Sequence, residues 1–143
     1  MGLADEYFTV VHSLLSQVSW TSVVSSVPAR LCVILAVEMY LNAFLVLHEI
    51  NNKQLRGLQH DLAQRTTMVS EKGLRLRART EAHLQKIHDQ REYLNVRYGS
   101  EQVGELSELN RMFATLKEVS TKVRTAILKQ LYDPTDRRFK KYW

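Results

Sequence analysis

Glu38 and Asn42 are the two polar side chains whose surroundings most need an explanation. They lie four residues apart in LCVILAVEMYLNAFLVL, the apolar run from Leu31 to Leu47, so a helix places both on one face. An ionised carboxylate in mid-bilayer costs about 2.5–3.5 kcal/mol, so Glu38 there needs a proton or a partner. A proton pathway and a polar seam for docking both fit, but one helix cannot enclose a pathway. Glu38 and Asn42 are therefore the predicted contacts with other membrane helices.

The remaining reactive residue types do not form a catalytic or metal-binding motif. His83 and His88 are five residues apart, which is poor helical spacing for a shared metal ion. Cys32 is the single cysteine, and it lies inside the apolar run. Gly99 and Gly104 have phosphate-loop spacing, but glutamate follows where lysine is required. The sequence predicts a protein that is not an enzyme and that binds no cofactor and no metal.

Basic side chains concentrate in the second half of the chain. Residues 51–143 carry 19 of the 20 basic side chains against 11 acidic ones. Signs alternate along much of this arm, which favours a solvated or protein-facing helix, so nucleic acid is not an expected partner. Two clusters are predicted to contact anionic lipid or an acidic partner, namely Arg75, Arg77 and Arg79, and the tail residues Arg137, Arg138, Lys140 and Lys141.

The elements that must position these residues are predicted to be helices. Only five glycines and two prolines occur, and residues 51–131 are rich in helix formers, so we predict an all-α fold. The predicted order is an amphipathic N-terminal segment (1–27), a transmembrane helix (28–50), a long charged helix (51–98), a break near Gly99–Gly104, a second amphipathic helix (105–132) and a basic-aromatic tail (133–143).

The central prediction is that residues 28–50 span a membrane. As a helix they reach roughly 34 Å, enough for a hydrocarbon core near 30 Å. The run is apolar around nearly its whole circumference, and no other segment is comparably apolar, so we favour the membrane over the core of a soluble bundle. Residues 3–18 form an amphipathic helix that lies either in the membrane interface or on a partner protein.

Flanking charges predict an orientation for this span. Lys53, Arg56 and Arg65 follow the apolar run, whereas only Arg30 precedes it. By the positive-inside rule, the C-terminal arm lies in the cytoplasm or the mitochondrial matrix, and the N-terminus lies on the opposite side.

One span followed by a long arm resembles the single-span accessory subunits of respiratory complexes and the b-type stator subunit of rotary ATP synthases. The resemblance is one of layout, and no motif carries over residue by residue. It implies a non-catalytic accessory subunit, most simply in the mitochondrial inner membrane, with the N-terminus in the intermembrane space and the arm in the matrix. Its membrane helix contacts other membrane subunits, and its arm contacts soluble or matrix-side subunits. The alternative is a membrane-anchored coiled-coil tether or adaptor in an endomembrane. The leucines and valine at 55, 62, 69 and 76 form an imperfect heptad, which favours the first hypothesis.

Overall fold

The computed structural model describes residues 2–18, 24–94 and 107–131. Within these ranges every regular element is helical, so the all-α prediction is confirmed. The helices are α1 (Gly2–Leu15), α2 (Val27–Leu47), α3 (Asn52–Gly57), α4 (Leu62–Glu71), α5 (Ala78–Asp89) and α6 (Leu109–Leu131), and a 3-10 turn, Val24–Ser26, precedes α2.

Helix α2 is the centre of the molecule. Pro28 lies in its first turn, where its fixed φ suits a helix and its missing N–H costs nothing. Helices α1, α4 and α6 pack against α2, and only Pro28 and Val46 among its 21 residues are exposed. We expected no segment of this chain to bury the apolar run. Instead, three amphipathic helices share that task, and each contributes a narrow apolar stripe.

Between residues 51 and 94 the charged arm is divided into short helices, α3, α4 and α5, in place of the single helix predicted over 51–98, and α4 packs against α2. Asn51 begins α3 with a capping box. Its side chain accepts a hydrogen bond from the backbone N–H of Gln54, and the side chain of Gln54 accepts one from the backbone N–H of Asn51. The side chain of Asp61 begins α4 by accepting from the N–H of Gln64 at 2.8 Å. These caps start new helices in new directions, so the arm does not extend away from α2.

A residue in a left-handed backbone conformation follows each of α2, α3, α4 and α5. Glu49 has a φ of 68°, Gln59 of 47° and Arg91 of 50°. Gly73, with a φ of 96°, follows α4 in a conformation that favours glycine, because a Cβ atom would strain it. Each of these residues reverses or redirects the chain, which keeps the arm compact.

The seven-residue repeat of the arm does face inward, but on separate helices. Leu55 in α3 and Leu62 and Val69 in α4 are buried, and Leu76 is half-buried in the turn before α5. The repeat therefore reports the buried side of several elements and not the seam of one coiled coil.

The first and last described helices complete the core. Ala4 and Val11 of α1 are buried against α2, so α1 packs on its own chain. Helix α6 lies within the predicted second amphipathic helix and buries one stripe against α2 and α5. That stripe comprises Leu109, Met112, Thr115, Leu116, Val119, Ser120 and Val123. The predicted break near Gly99–Gly104 and the tail 133–143 lie outside the described residues.

Candidate functional site

A buried polar cluster surrounds Glu38 in the middle of α2. The Glu38 side chain is 6% exposed, and its Oε1 lies 3.6 Å from Nη2 of Arg65, which is 2% exposed. Its Oε2 lies 2.9 Å from Nδ1 of His60. The Nε of Arg65 also donates to Oδ1 of Asn42 at 2.8 Å, and its Nη1 donates to the carbonyl of Asp61. The structure thus places both predicted contact residues, Glu38 and Asn42, against the α4 segment of the same chain.

This arrangement resolves the cost of a charge on an apolar helix. A buried ion pair is tolerated when further hydrogen bonds satisfy its remaining donors and acceptors, as they do here. Arg65 was singled out in the sequence only as a charge near the end of a span. Its ion pair with Glu38 joins residues 27 positions apart, so no local pattern in the sequence predicts it.

A cavity of about 700 Å³ opens beside the Glu38 cluster. His60 lines it with its ring stacked on Tyr93, at 3.8 Å between centroids. His88 also lines it, with Nδ1 3.3 Å from Oδ1 of Asp61. Two carboxylate–imidazole pairs, Glu38 with His60 and Asp61 with His88, therefore lie at one opening. Among the described residues, no group of three His, Cys, Asp or Glu side chains could hold a metal ion.

A second buried network fixes the start of α2. Arg30 is 7% exposed, and its Nε donates to the hydroxyl of Ser26 at 2.8 Å. Its Nη1 donates to the carbonyl of Ser107 and lies 3.7 Å from Oε1 of Glu92. Glu92 is fully buried and accepts from the N–H and the hydroxyl of Ser107. Arg30 therefore points into the protein and ties α2 to the approach to α6.

A third network joins α1, α2 and α6. The Tyr40 hydroxyl donates to Oδ1 of Asp5 at 2.6 Å. The Nη2 of Arg124 donates to the same oxygen at 2.8 Å and to the Tyr40 hydroxyl at 2.6 Å. Its guanidinium also lies 4.9 Å from the centre of the Phe8 ring, within cation–π range. Burial alone would raise the pKa of Asp5, but the hydrogen bonds from Tyr40 and Arg124 outweigh it and lower that pKa.

The predicted basic contact residues are only partly described. Arg75, Arg77 and Arg79 are exposed at the turn into α5, where an acidic or anionic partner can reach them. Backbone atoms of this turn are held by α6, since Lys122 donates to the Arg75 carbonyl and Glu118 accepts from the Arg77 N–H. Arg137, Arg138, Lys140 and Lys141 lie outside the described residues.

One described helix, α2, is long and apolar enough to cross a membrane, and it lies near the N-terminus. Length and composition are weak evidence for a span, because the core helix of a soluble protein meets the same criteria. Of the 18-residue apolar stretch of α2 that meets these criteria, 56% is buried inside the molecule. No protein-family model, curated protein or solved structure matches this chain, so its function has to be inferred from its own geometry.

Proposed function

We propose that this chain is a structural accessory subunit, not an enzyme, which docks as a folded helical bundle onto other subunits of a membrane protein complex. The supporting observation is an incompletely covered stripe on α2, the docking stripe. It repeats every three to four residues and comprises Cys32, Leu35, Met39, Ala43 and Val46. The first four are half-buried, and Val46 is 53% exposed.

The docking stripe is suited to a helix of another subunit. Other faces of α2 are occupied by α1, α4 and α6, so the stripe is the part of the central helix left for a partner. It is wholly apolar and mixes small with larger side chains, which allows close packing of a second helix. A contiguous apolar stripe that its own chain covers only in part is a candidate interaction site.

The folded bundle constrains how the chain relates to the membrane. Helices α4, α5 and α6 have charged outer faces, which a bilayer cannot cover at reasonable cost. Insertion of α2 into lipid would also separate Glu38 from Arg65. We therefore propose that the bundle sits against a membrane subunit. Within this proposal, the mitochondrial inner membrane, with a respiratory complex or ATP synthase as host, is supported only by the basic composition of residues 51–143.

The test changes the docking stripe and leaves the fold alone. Val46→Glu places a charge on the stripe, and Val10→Glu places the same charge on α1, where Val10 is similarly exposed at 42%. On native gels after mild detergent, the wild-type chain and Val10→Glu should migrate with a complex of hundreds of kilodaltons. Val46→Glu should migrate alone with unchanged helical circular dichroism. Equal migration of all three chains, together or alone, would contradict the proposal.

A membrane-anchored tether or adaptor is the second candidate, favoured by the length and apolar composition of α2. In that case α2 crosses the bilayer and the remaining helices lie outside it. Alkaline carbonate extraction separates the two candidates, because it releases proteins held by protein contacts but not proteins that span the bilayer. A tether should stay in the membrane pellet after carbonate treatment. A docked bundle should be released into the supernatant.

A further inference from the structure

Helix α5, the residues just before α6 and the first turn of α6 line a second, open cavity of about 460 Å³, separate from the Glu38 cluster. That volume is within the range of small-molecule sites. The residues that line it are Arg79, Ala82, His83, Lys86, Ser107, Glu108 and Arg111.

His83 lines this cavity and has one ring nitrogen without a hydrogen-bond partner in the residues that the structure describes. The residue is 5% exposed, and its Nδ1 lies 2.7 Å from the hydroxyl of Thr115. Its Nε2, on the other side of the ring, is buried and has no partner among the described residues. Burial, together with the positive charges of Arg111 and Lys86, lowers the pKa of His83 to about 4, so the ring is neutral at pH 7. When the Thr115 hydroxyl donates to Nδ1, the ring proton is on Nε2.

Arg111 contributes a second buried donor. Its Nε is also inaccessible to solvent and lacks a partner within the described part of the chain. Arg79, His83 and Lys86 follow each other at i, i+4 and i+7, so one face of α5 presents two cations and the imidazole. The single acidic residue on the lining is the exposed Glu108. In the ranges described, none of the three cations Arg79, Lys86 and Arg111 forms an ion pair that would neutralise its charge.

We propose that this cavity binds the phosphate group of a small phosphorylated molecule. A buried N–H donor without an acceptor is costly. Among the residues described, the Nε–H of Arg111 is such a donor, and Nε2 of His83 is another in the tautomer in which the Thr115 hydroxyl donates to Nδ1. Three cations against one carboxylate require a dianion for neutrality. A phosphate presents three oxygens in different directions, whereas a planar carboxylate presents two, and donors arrive here from two helices. The site does not depend on the docking stripe, which lies on α2.

The experiment is a titration of the full-length folded chain followed by NMR of the His83 ring. Inorganic phosphate should shift the His83 Cε1–H signal in a saturable manner at pH 7, while sodium chloride and sodium acetate of equal ionic strength should not. Bound phosphate favours the protonated ring, so the pKa of His83 should also rise in its presence. A response to acetate or chloride as large as that to phosphate would overturn the proposal.

Arg111→Gln is the informative variant, and Arg56→Gln is its control. Arg56 is exposed on α3 and does not line the cavity. Loss of a charge-assisted hydrogen bond should weaken phosphate binding by Arg111→Gln at least about tenfold, whereas Arg56→Gln should bind as the wild type does. If Arg111→Gln destabilises the fold, Lys86→Gln replaces it, because Lys86 is exposed. Wild-type affinity in both cavity variants would rule the site out.

Two further probes identify the source of the phosphate. Adenosine 5′-monophosphate tests a soluble phosphate ester, with adenosine as its control. Phosphatidylcholine vesicles with and without phosphatidic acid test a lipid headgroup. Tighter binding of either phosphate-bearing probe than of its control, lost in Arg111→Gln, supports the site and names its source. If inorganic phosphate and both probes leave His83 unshifted, the cavity is not a phosphate site.

Discussion

Glu38 and Arg65 form a buried pair that joins α2 to α4. Replacement of Glu38 by leucine leaves the guanidinium of Arg65 buried without its counter-charge. We expect Glu38→Leu to lower the free energy of unfolding by about 3–5 kcal/mol, the typical cost of breaking a buried pair. Chemical denaturation measures this loss, and Glu71→Leu, an exposed change at the end of α4, should stay within about 0.5 kcal/mol of wild type.

The double variant Glu38→Leu/Arg65→Leu sharpens this test. Replacement of both partners by apolar side chains is often neutral or stabilising, so the double variant should recover most of the lost stability. If Glu38→Leu is instead as stable as the wild type, Arg65 is not packed against α2 and the bundle is not the native arrangement.

His83 predicts a dependence of stability on pH. Its pKa is about 4 in the folded chain and near 6.5 when unfolded, so the unfolded chain binds the proton more readily. Stability contributed by the neutral ring is complete above pH 6.5 and decreases as the pH falls toward 4. The total loss is roughly 3 kcal/mol. Arg111, Lys86, Arg79 and Glu108 are the charged groups around the ring.

Thermal or urea unfolding of the wild type and of His83→Phe between pH 7 and pH 4.5 measures this dependence. As the pH falls, the wild type should lose stability relative to His83→Phe, because the His83 ring takes up a proton more readily in the unfolded chain and phenylalanine does not titrate. A constant difference would show that His83 has the same pKa in the folded and unfolded chains.

At the scale of elements, the helical class and most inward faces were predictable from the sequence. Leu55, Leu62 and Val69 all have the burial that their spacing indicates. The breaks in the arm also have local signals in the sequence, since Asn51 and Gln54 form a capping box at the start of α3. The helix-forming composition on both sides of these residues led to the prediction of one continuous helix. Pairs such as Glu38 with Arg65 were not predictable, because they depend on how separate helices meet.

Two glycines test the turns that fold the arm. Gly73 has a φ of 96°, so Gly73→Ala should destabilise the chain by about 1 kcal/mol or more, although no atom lies within 4 Å of the new Cβ. Gly57 lies in α3 with equally open surroundings and without a positive φ, so Gly57→Ala should stabilise by about 0.5–1 kcal/mol. Urea denaturation of both variants checks the contrast. Equal effects would mean that the chain does not turn at Gly73.

At the scale of the whole molecule, α1 covers one side of α2 and limits its exposed apolar surface. A chain without residues 2–18 loses the Asp5 hydrogen bonds to Tyr40 and Arg124 and exposes the face that Val11 covers. We expect this chain to self-associate and to float with phosphatidylcholine vesicles, whereas the full chain does neither. Light scattering and flotation measure the two effects. A monomeric, non-floating truncated chain would show that α1 does not shield α2.

The bond between Asp5 and Arg124 joins residues 119 positions apart, and this separation matters while the protein is being made. Synthesis runs at roughly 5–20 residues per second, so α2 leaves the ribosome several seconds before α6 exists to cover it. During that interval the face of α2 that α6 later covers is open to targeting factors. We expect stalled chains in which α2 has left the ribosome to crosslink to the signal recognition particle, and chains in which α6 has also left it to escape the particle. Whether α2 enters lipid or a protein core then depends on which comes first, binding by targeting factors or packing of α6.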